Sequence, residues 1–153
     1  MKTFVSENRN HILLLLFVSL IFLLWGRIIF QKINENNRIR DLSTVQARIK
    51  CAASFGWEAD PSTEIRQKVK IPQEFDEVYK EYNKIQKMCG FDLLHYRGKT
   101  AERYTYIVQN FPYEVAEPVY INLYIYDNTM IAGDCMTRAL DGFMLPIDRR
   151  FMP

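Results

Sequence analysis

Residues Met130–Met144, MIAGDCMTRALDGFM, crowd a thiol, two carboxylates and a guanidinium into one short stretch: Cys135, Asp134, Asp141 and Arg138, interspersed with Gly133 and Gly142. Three chemistries use such residues. A cysteine nucleophile needs a base to take its proton, and the chain has two histidines, His11 and His95. His11 borders an apolar run, which leaves His95 as the base for Cys135. Paired carboxylates act as acid and base in glycoside hydrolysis, and Asp134 with Asp141 is the available pair. A calcium loop needs oxygen ligands at alternating positions, and GDCMTRALDG supplies too few. Local pattern favours plainer roles. Asp before Gly is turn chemistry, because Asp tolerates the left-handed region and bonds its own backbone, so Asp141–Gly142 reads as a turn. Asp134 and Cys135 fall on an alternating segment that reads as a strand, which sends them to opposite faces. No catalytic residue, metal ligand or cofactor is therefore assigned. An envelope hydrolase using Asp134, Asp141 or Cys135 stands as the alternative.

The three cysteines, Cys51, Cys89 and Cys135, include no C-x-x-C pair, so zinc-ribbon and thioredoxin-type chemistry lack their signature. Cys89 and Cys135 touch or bridge if a helix carrying the first lies over a strand carrying the second. The other candidate surface is aromatic. In VYINLYIY, Tyr120, Tyr124 and Tyr126 project from one side. Tyr104 and Tyr106 on the preceding strand are expected to adjoin them. Such a tyrosine face either lies under a helix or loop, or serves as a platform for a protein or glycan partner, where rings with polar tips suit an interface. A net charge of +2, with scattered Lys and Arg, argues against nucleic-acid binding.

The elements that position these residues follow from periodicity. STVQARIKCAASFGW opens with a capping box, Ser43 as N-cap and Gln46 three residues on, and stops at Gly56. EIRQKVKI alternates and has one basic side, which reads as an edge strand. IPQEFDEVYKEYNKIQKMCG predicts a helix with Pro72 in its first turn and Gly90 at its end. Its expected buried stripe is Phe75, Val78, Tyr82, Ile85 and Cys89. ERYTYIVQN, VYINLYIY and TMIAGDCMTRA then predict three strands, the last two joined by a tight turn at Asp127–Asn128. Helix, strand, helix and meander make an α+β domain, with two helices expected on one face of an antiparallel sheet.

Ahead of the domain, residues 12–30 form an apolar run with no charge apart from Arg27. At 1.5 Å per residue, about 19 residues span about 28 Å, enough for a bilayer core. Trp25 suits the interface, and Arg27 sits near the end, where its stem can reach the headgroups. WGRIIFQKI lacks the small residues a signal peptidase needs, so the reading is an uncleaved single-pass anchor. Residues 1–11 form a short tail, 31–41 a polar linker or a fraying continuation of the helix, 42–148 the α+β domain and 149–153 a C-terminal tail. Arg27, Lys32, Arg38 and Arg40 follow the span, and a positive-inside count places the domain in the cytoplasm. The short N-terminal tail of an ordinary signal anchor favours the opposite side. An extracytoplasmic domain is the adopted expectation, with the cytoplasmic side kept open.

Several segments carry a resemblance: FGWEAD, IPQEFDEVYKEYNKIQK, GFDL, YRGK, RYTYIVQN followed by FP, and AGD followed by LDGFM. In this order, over roughly residues 47 to 145, they resemble a Firmicutes family of uncharacterised proteins, domain of unknown function 4830. The chain departs from the pattern at LLHYRGK and at Ala132, where Gly is usual. The resemblance implies an α+β domain outside the membrane, in membrane-anchored or secreted envelope proteins, and implies no activity. Together these readings predict a membrane-anchored envelope protein with a non-catalytic binding domain. Its expected partners are the membrane, through residues 12–30, and an envelope protein or glycan.

Overall fold

The computed structural model describes the backbone of residues 2–152 and the side chains of residues 12–30, 32, 33 and 39–152. The chain divides into two compact units, Met1–Asn37 and Arg38–Pro153. The first is a single helix, α1 (Lys2–Arg38). Its segment Ile12–Phe30 has a mean hydropathy of 2.7 and none of it is buried, so the helix is long and apolar enough to cross a bilayer. Residues 31–38, the first part of the expected linker, continue the helix.

In the second unit the chain is bonded to the sheet from its first residues. The Met130 amide donates to the Ile39 carbonyl at 2.8 Å, and the Leu42 amide donates to the Asn128 carbonyl at 3.0 Å. Five strands, β1 (Ile65–Lys70), β2 (Thr100–Ile107), β3 (Val119–Tyr126), β4 (Thr129–Thr137) and β5 (Met144–Pro146), pair in chain order, every pair antiparallel. The α+β class and the meander agree with the sequence pattern. β5 is an addition, three residues too short to show a period. β1 is an edge strand, as its basic side predicts, with Arg66, Lys68 and Lys70 exposed. The Asp127–Asn128 turn puts both residues at positive φ, 48° and 55°, the backbone that a two-residue hairpin requires.

The helices do not share one face. α2 (Val45–Ser54) brings Cys51 and Ala52, with Phe55 and Trp57 beyond it, onto Tyr106, Ile121, Leu123 and Ile147. α3 (Glu77–Met88) covers the other side, where Tyr79 and Tyr82 join Tyr124, Ile131 and Ala132. Both faces are apolar enough to need a cover, because ring and aliphatic residues alternate along β3. Composition alone does not reveal this. Thr44, not Ser43, caps α2 and accepts from the Ala47 amide at 3.2 Å. α3 starts four to five residues later than expected. Asp76 caps it, accepting from the Tyr79 amide at 2.8 Å, and Pro72 lies in the connection before it. Gly90, at φ +84°, ends it as expected.

The buried side of α3 is Tyr79, Tyr82, Asn83 and Gln86, whereas Val78 is 78% exposed. Of the expected stripe, Phe75, Tyr82 and Cys89 pack against the cores and Ile85 is half-buried, so Val78 alone departs from it, while Asn83 and Gln86 join the buried side. Asn83 and Gln86 are buried because they satisfy backbone: Asn83 Oδ1 accepts from the Leu93 amide at 2.9 Å and Gln86 Oε1 from the Gly133 amide at 2.8 Å. Residues 149–153 were expected as a tail, yet the turn at Arg149–Phe151 belongs to the fold. Its Arg149 amide donates to the Phe55 carbonyl at 3.1 Å. Just before it, the Ile147 carbonyl accepts from the Trp57 indole at 2.5 Å.

Candidate functional site

Asp134 is the most unusual group of the domain. β4 places it beside Asn122 of β3 on the α3 face, and it has no solvent exposure. Asn122 Nδ2 donates to its Oδ1 at 2.6 Å and the Tyr82 hydroxyl to its Oδ2 at 2.7 Å. The Thr105 hydroxyl donates in turn to Asn122 Oδ1 at 2.6 Å. Burial pushes the Asp134 pKa up, and the two donors and the nearby Arg103 oppose that rise. Burial also drives the Tyr82 pKa well above the ordinary tyrosine value. Each carboxylate oxygen is thus held by a neutral donor from a neighbouring element. The network ties α3 to the sheet and leaves Asp134 no surface for a substrate.

The other members of the opening stretch lie elsewhere. Cys135 faces the α2 side, fully buried between Ile121 and Leu145, and burial pushes its thiol up to about 12. Burial thus disfavours the thiolate that a nucleophile would need. His95 is exposed on a short turn, Leu93–Tyr96, that packs on the α3 side. Asp141 is exposed in the turn beyond β4, where the Gly142 amide donates to the Ala139 carbonyl at 3.1 Å. The strand alternation that separates Asp134 from Cys135 is as the sequence implies, and the turn reading of Asp141 agrees with the geometry. Cys89 and Cys135 are both free thiols. Cys89 ends α3, half-buried against the α2-side core to which Cys135 also belongs. Among the described residues no cluster of three metal-ligating side chains occurs.

The tyrosines do not make one platform. Register sets Tyr104 opposite Leu123 and Tyr106 opposite Ile121, so both point to the α2 side, away from Tyr120, Tyr124 and Tyr126. Tyr106 and Tyr104 are buried against Arg48 of α2, a residue that sequence reasoning passed over. The Arg48 guanidinium lies 3.9 Å over the Tyr104 ring and donates to the Tyr106 hydroxyl at 2.8 Å, to Glu64 at 2.9 Å and to the Leu42 and Ser43 carbonyls at 2.9 and 3.0 Å. It clamps the start of the unit to the sheet. The clue was its place three and four residues before Cys51 and Ala52, on the buried side of α2. Tyr124 is under α3, its ring 6.3 Å from that of Tyr82, and Tyr126 stacks edge-on to Tyr96.

Tyr120 alone keeps the character of a platform. Ile107, Tyr120, Met136 and Met144 stand opposite one another across four strands on the α3 face. All four are at least partly exposed, and Arg138 lies 4.1 Å over the Tyr120 ring. The row sits at the distal end of the sheet, opposite the end where Ile39 and Leu42 are bonded. Loops there add exposed Tyr113, Val115 and Leu140 and a cleft of about 370 Å³ lined by Val115, Glu117, Thr137, Asp141 and Phe143. Beneath them Phe111 stacks between Trp57 and Phe143, with centroids 6.0 and 5.3 Å away. At the proximal end a polar cleft of about 680 Å³ opens on the α2 side, lined by Ser43, Arg66, Thr100, Glu102, Tyr104 and Asn128.

No curated protein and no solved structure matches the chain. A family does: residues 52–135, from the buried side of α2 to Cys135, match the profile described as Domain of unknown function (DUF4830). The match covers α3, β1 to β3 and β4 as far as Cys135. With more than half its length and the whole Asp134 network inside the match, this chain belongs to the DUF4830 family.

Proposed function

We propose that the protein is a membrane-anchored interaction module, not a catalyst. Segment Ile12–Phe30 of α1 is its uncleaved single-pass anchor, and the distal end of the sheet is the surface it offers to an envelope protein or glycan on the extracytoplasmic side. The observation that carries the anchor is the segment itself: 19 residues of mean hydropathy 2.7 with nothing buried. Such a helix is stable in hydrocarbon, where its backbone bonds are satisfied internally and its side chains meet lipid. The interaction reading is supported by the Ile107–Tyr120–Met136–Met144 row and by Leu140, apolar groups that the fold leaves uncovered.

Alkaline carbonate extraction of membranes from cells making the full chain tests the anchor. The intact chain is expected in the pellet, at a mass that includes residues 1–30, and the double variant Leu16→Arg, Leu20→Arg is expected in the soluble fraction. A wild-type chain shortened by the N-terminal segment and recovered in the supernatant would make residues 12–30 a cleaved signal. Sidedness is read from Glu114→Cys, an exposed loop position. Reaction with an impermeant maleimide in intact cells supports the extracytoplasmic assignment, and reaction only after lysis rejects it.

A further inference from the structure

We propose that the proximal end of the sheet binds the phosphate of anionic lipid headgroups, holding the domain against the bilayer that α1 enters. This rests on the anchor reading. Alternation along β1 puts Arg66, Lys68 and Lys70 on the α2 side, all exposed, opposite Tyr104, Glu102 and Thr100. The polar cleft opens on the same side and adds the hydroxyls of Ser43 and Thr100 and the amide of Asn128. Arg66 is paired with Glu102, but among the described residues Lys68, Lys70, Arg97, Lys99 and Arg40 have no ion-pair partner.

These cations collect at one end. The Ile71 amide donates to the Lys99 carbonyl at 2.8 Å and the Gly98 amide to the Ile71 carbonyl at 3.0 Å. Those bonds hold the YRGK turn beside the end of β1. The Tyr96–Tyr126 contact, centroids 5.9 Å apart, sets that turn next to the β3–β4 turn, to which Leu42 is bonded. Residues 31–38 of α1 advance the chain only about 12 Å beyond Phe30. Acidic groups at this end are Asp41, Asp127, Glu102, Glu74 and Asp76. Glu102 is engaged by Arg66 and by the Tyr104 hydroxyl, and Asp76 by its cap. At the distal end the exposed acids Glu114, Glu117 and Asp141 outnumber the exposed cation Arg138, which lies over the Tyr120 ring. An anionic surface therefore attracts one end and repels the other. Each basic residue close to such a surface strengthens binding about fivefold, and salt screens the attraction within roughly a Debye length.

The full chain in nanodiscs of phosphatidylcholine, with or without phosphatidylglycerol, provides the test, read by amine acetylation and mass spectrometry. With phosphatidylglycerol, Lys68, Lys70 and Lys99 are expected to be about fivefold slower to acetylate, while Lys50 and Lys84, also exposed, are unchanged. High salt restores the rates. Lys68→Glu with Lys70→Glu, both at exposed positions, removes the protection of Lys99 while the near-ultraviolet circular dichroism stays that of the wild type. Equal rates in the two lipids, or protection indifferent to salt, overturn the proposal. Protection by inorganic phosphate alone in phosphatidylcholine discs makes free phosphate the ligand and overturns the lipid assignment. Failure of the chain to enter nanodiscs at all is a separate result, which rejects the anchor and this proposal with it.

Discussion

The two faces of the sheet are closed by different chemistry. Against α2, the cover is mainly rings and aliphatic chains: Trp57, Phe55, Tyr106, Ile121, Leu123 and Ile147, with Arg48 the one buried cation among the described residues. Against α3, Ile131 and Ala132 share the contact with five buried polar groups, Asp134, Asn122, Thr105, Asn83 and Gln86, and with Tyr79, Tyr82 and Tyr124. The first face gains from area removed from water and tolerates small shifts in direction. The second depends on each donor meeting its acceptor, because an unmet buried polar group is far costlier than a met one is helpful. The α2 face therefore supplies stability, and the α3 face fixes where a helix must sit.

Changes at single positions separate the two. The largest effect is expected on the α2 face. Trp57→Ala removes a ring that is 1% exposed and the indole bond to Ile147, and should cost about 3–5 kcal/mol in urea unfolding. On the α3 face, Asp134→Ala strands the Asn122 and Tyr82 donors, with an expected cost of about 2–3 kcal/mol. Asp134→Asn keeps the shape and should lose about half of that or less. If the two substitutions were equal, packing and not hydrogen bonding would close this face.

The same pair carries a pH signature. The folded-state pKa of Asp134 is raised, so the protonated form is the one that folding favours. Its contribution is complete below the unfolded carboxylate value and is lost as pH rises through the folded value. Wild type should therefore lose stability relative to Asp134→Asn as pH rises out of the carboxylate range. Asp92 and Glu102, whose pKa values are lowered, contribute in the reverse sense, but equally in both proteins, so the difference curve isolates Asp134.

Gly133 joins the faces. A Cβ there would lie 2.5 Å from Ile147 Cδ1 and from Met130 Cε and 3.0 Å from the Asn122 carbonyl. Gly133→Ala should cost about 1–3 kcal/mol by overpacking, checked by the same urea curves. The smallest effect is at Val78. Val78→Glu should stay within about 0.5 kcal/mol of wild type, and a loss of several times that would restore Val78 to the buried stripe.

Much of this was legible beforehand. Alternation in EIRQKVKI and VYINLYIY marked β1 and β3, and the DN turn marked the hairpin to β4. What local pattern did not mark is that two polar residues of α3 share its buried side. In α3 the sheet offered a free Gly133 amide and the following loop a free Leu93 amide, and Gln86 and Asn83 turned inward to meet them. The pairing of Tyr104 and Tyr106 with Arg48 was hidden for a similar reason. Which strand face a tyrosine takes depends on register across strands, and register is set by partners 13 or more residues away.

The sequence by itself determined the elements whose signals are local: the apolar run of Ile12–Phe30, the longer strands by their period of two, and the Asp127–Asn128 turn by residue type. It also kept Cys135 apart from Asp134, since neighbours on a strand point to opposite faces. Tertiary structure decided what no local pattern encodes. It set the helices on opposite faces, buried Asp134 against Asn122 and Tyr82, and split the tyrosines between two sides. The physical reason is that burial and pairing are properties of contacts between distant segments, and a polar side chain is buried only where the fold brings it the partner it lacks locally.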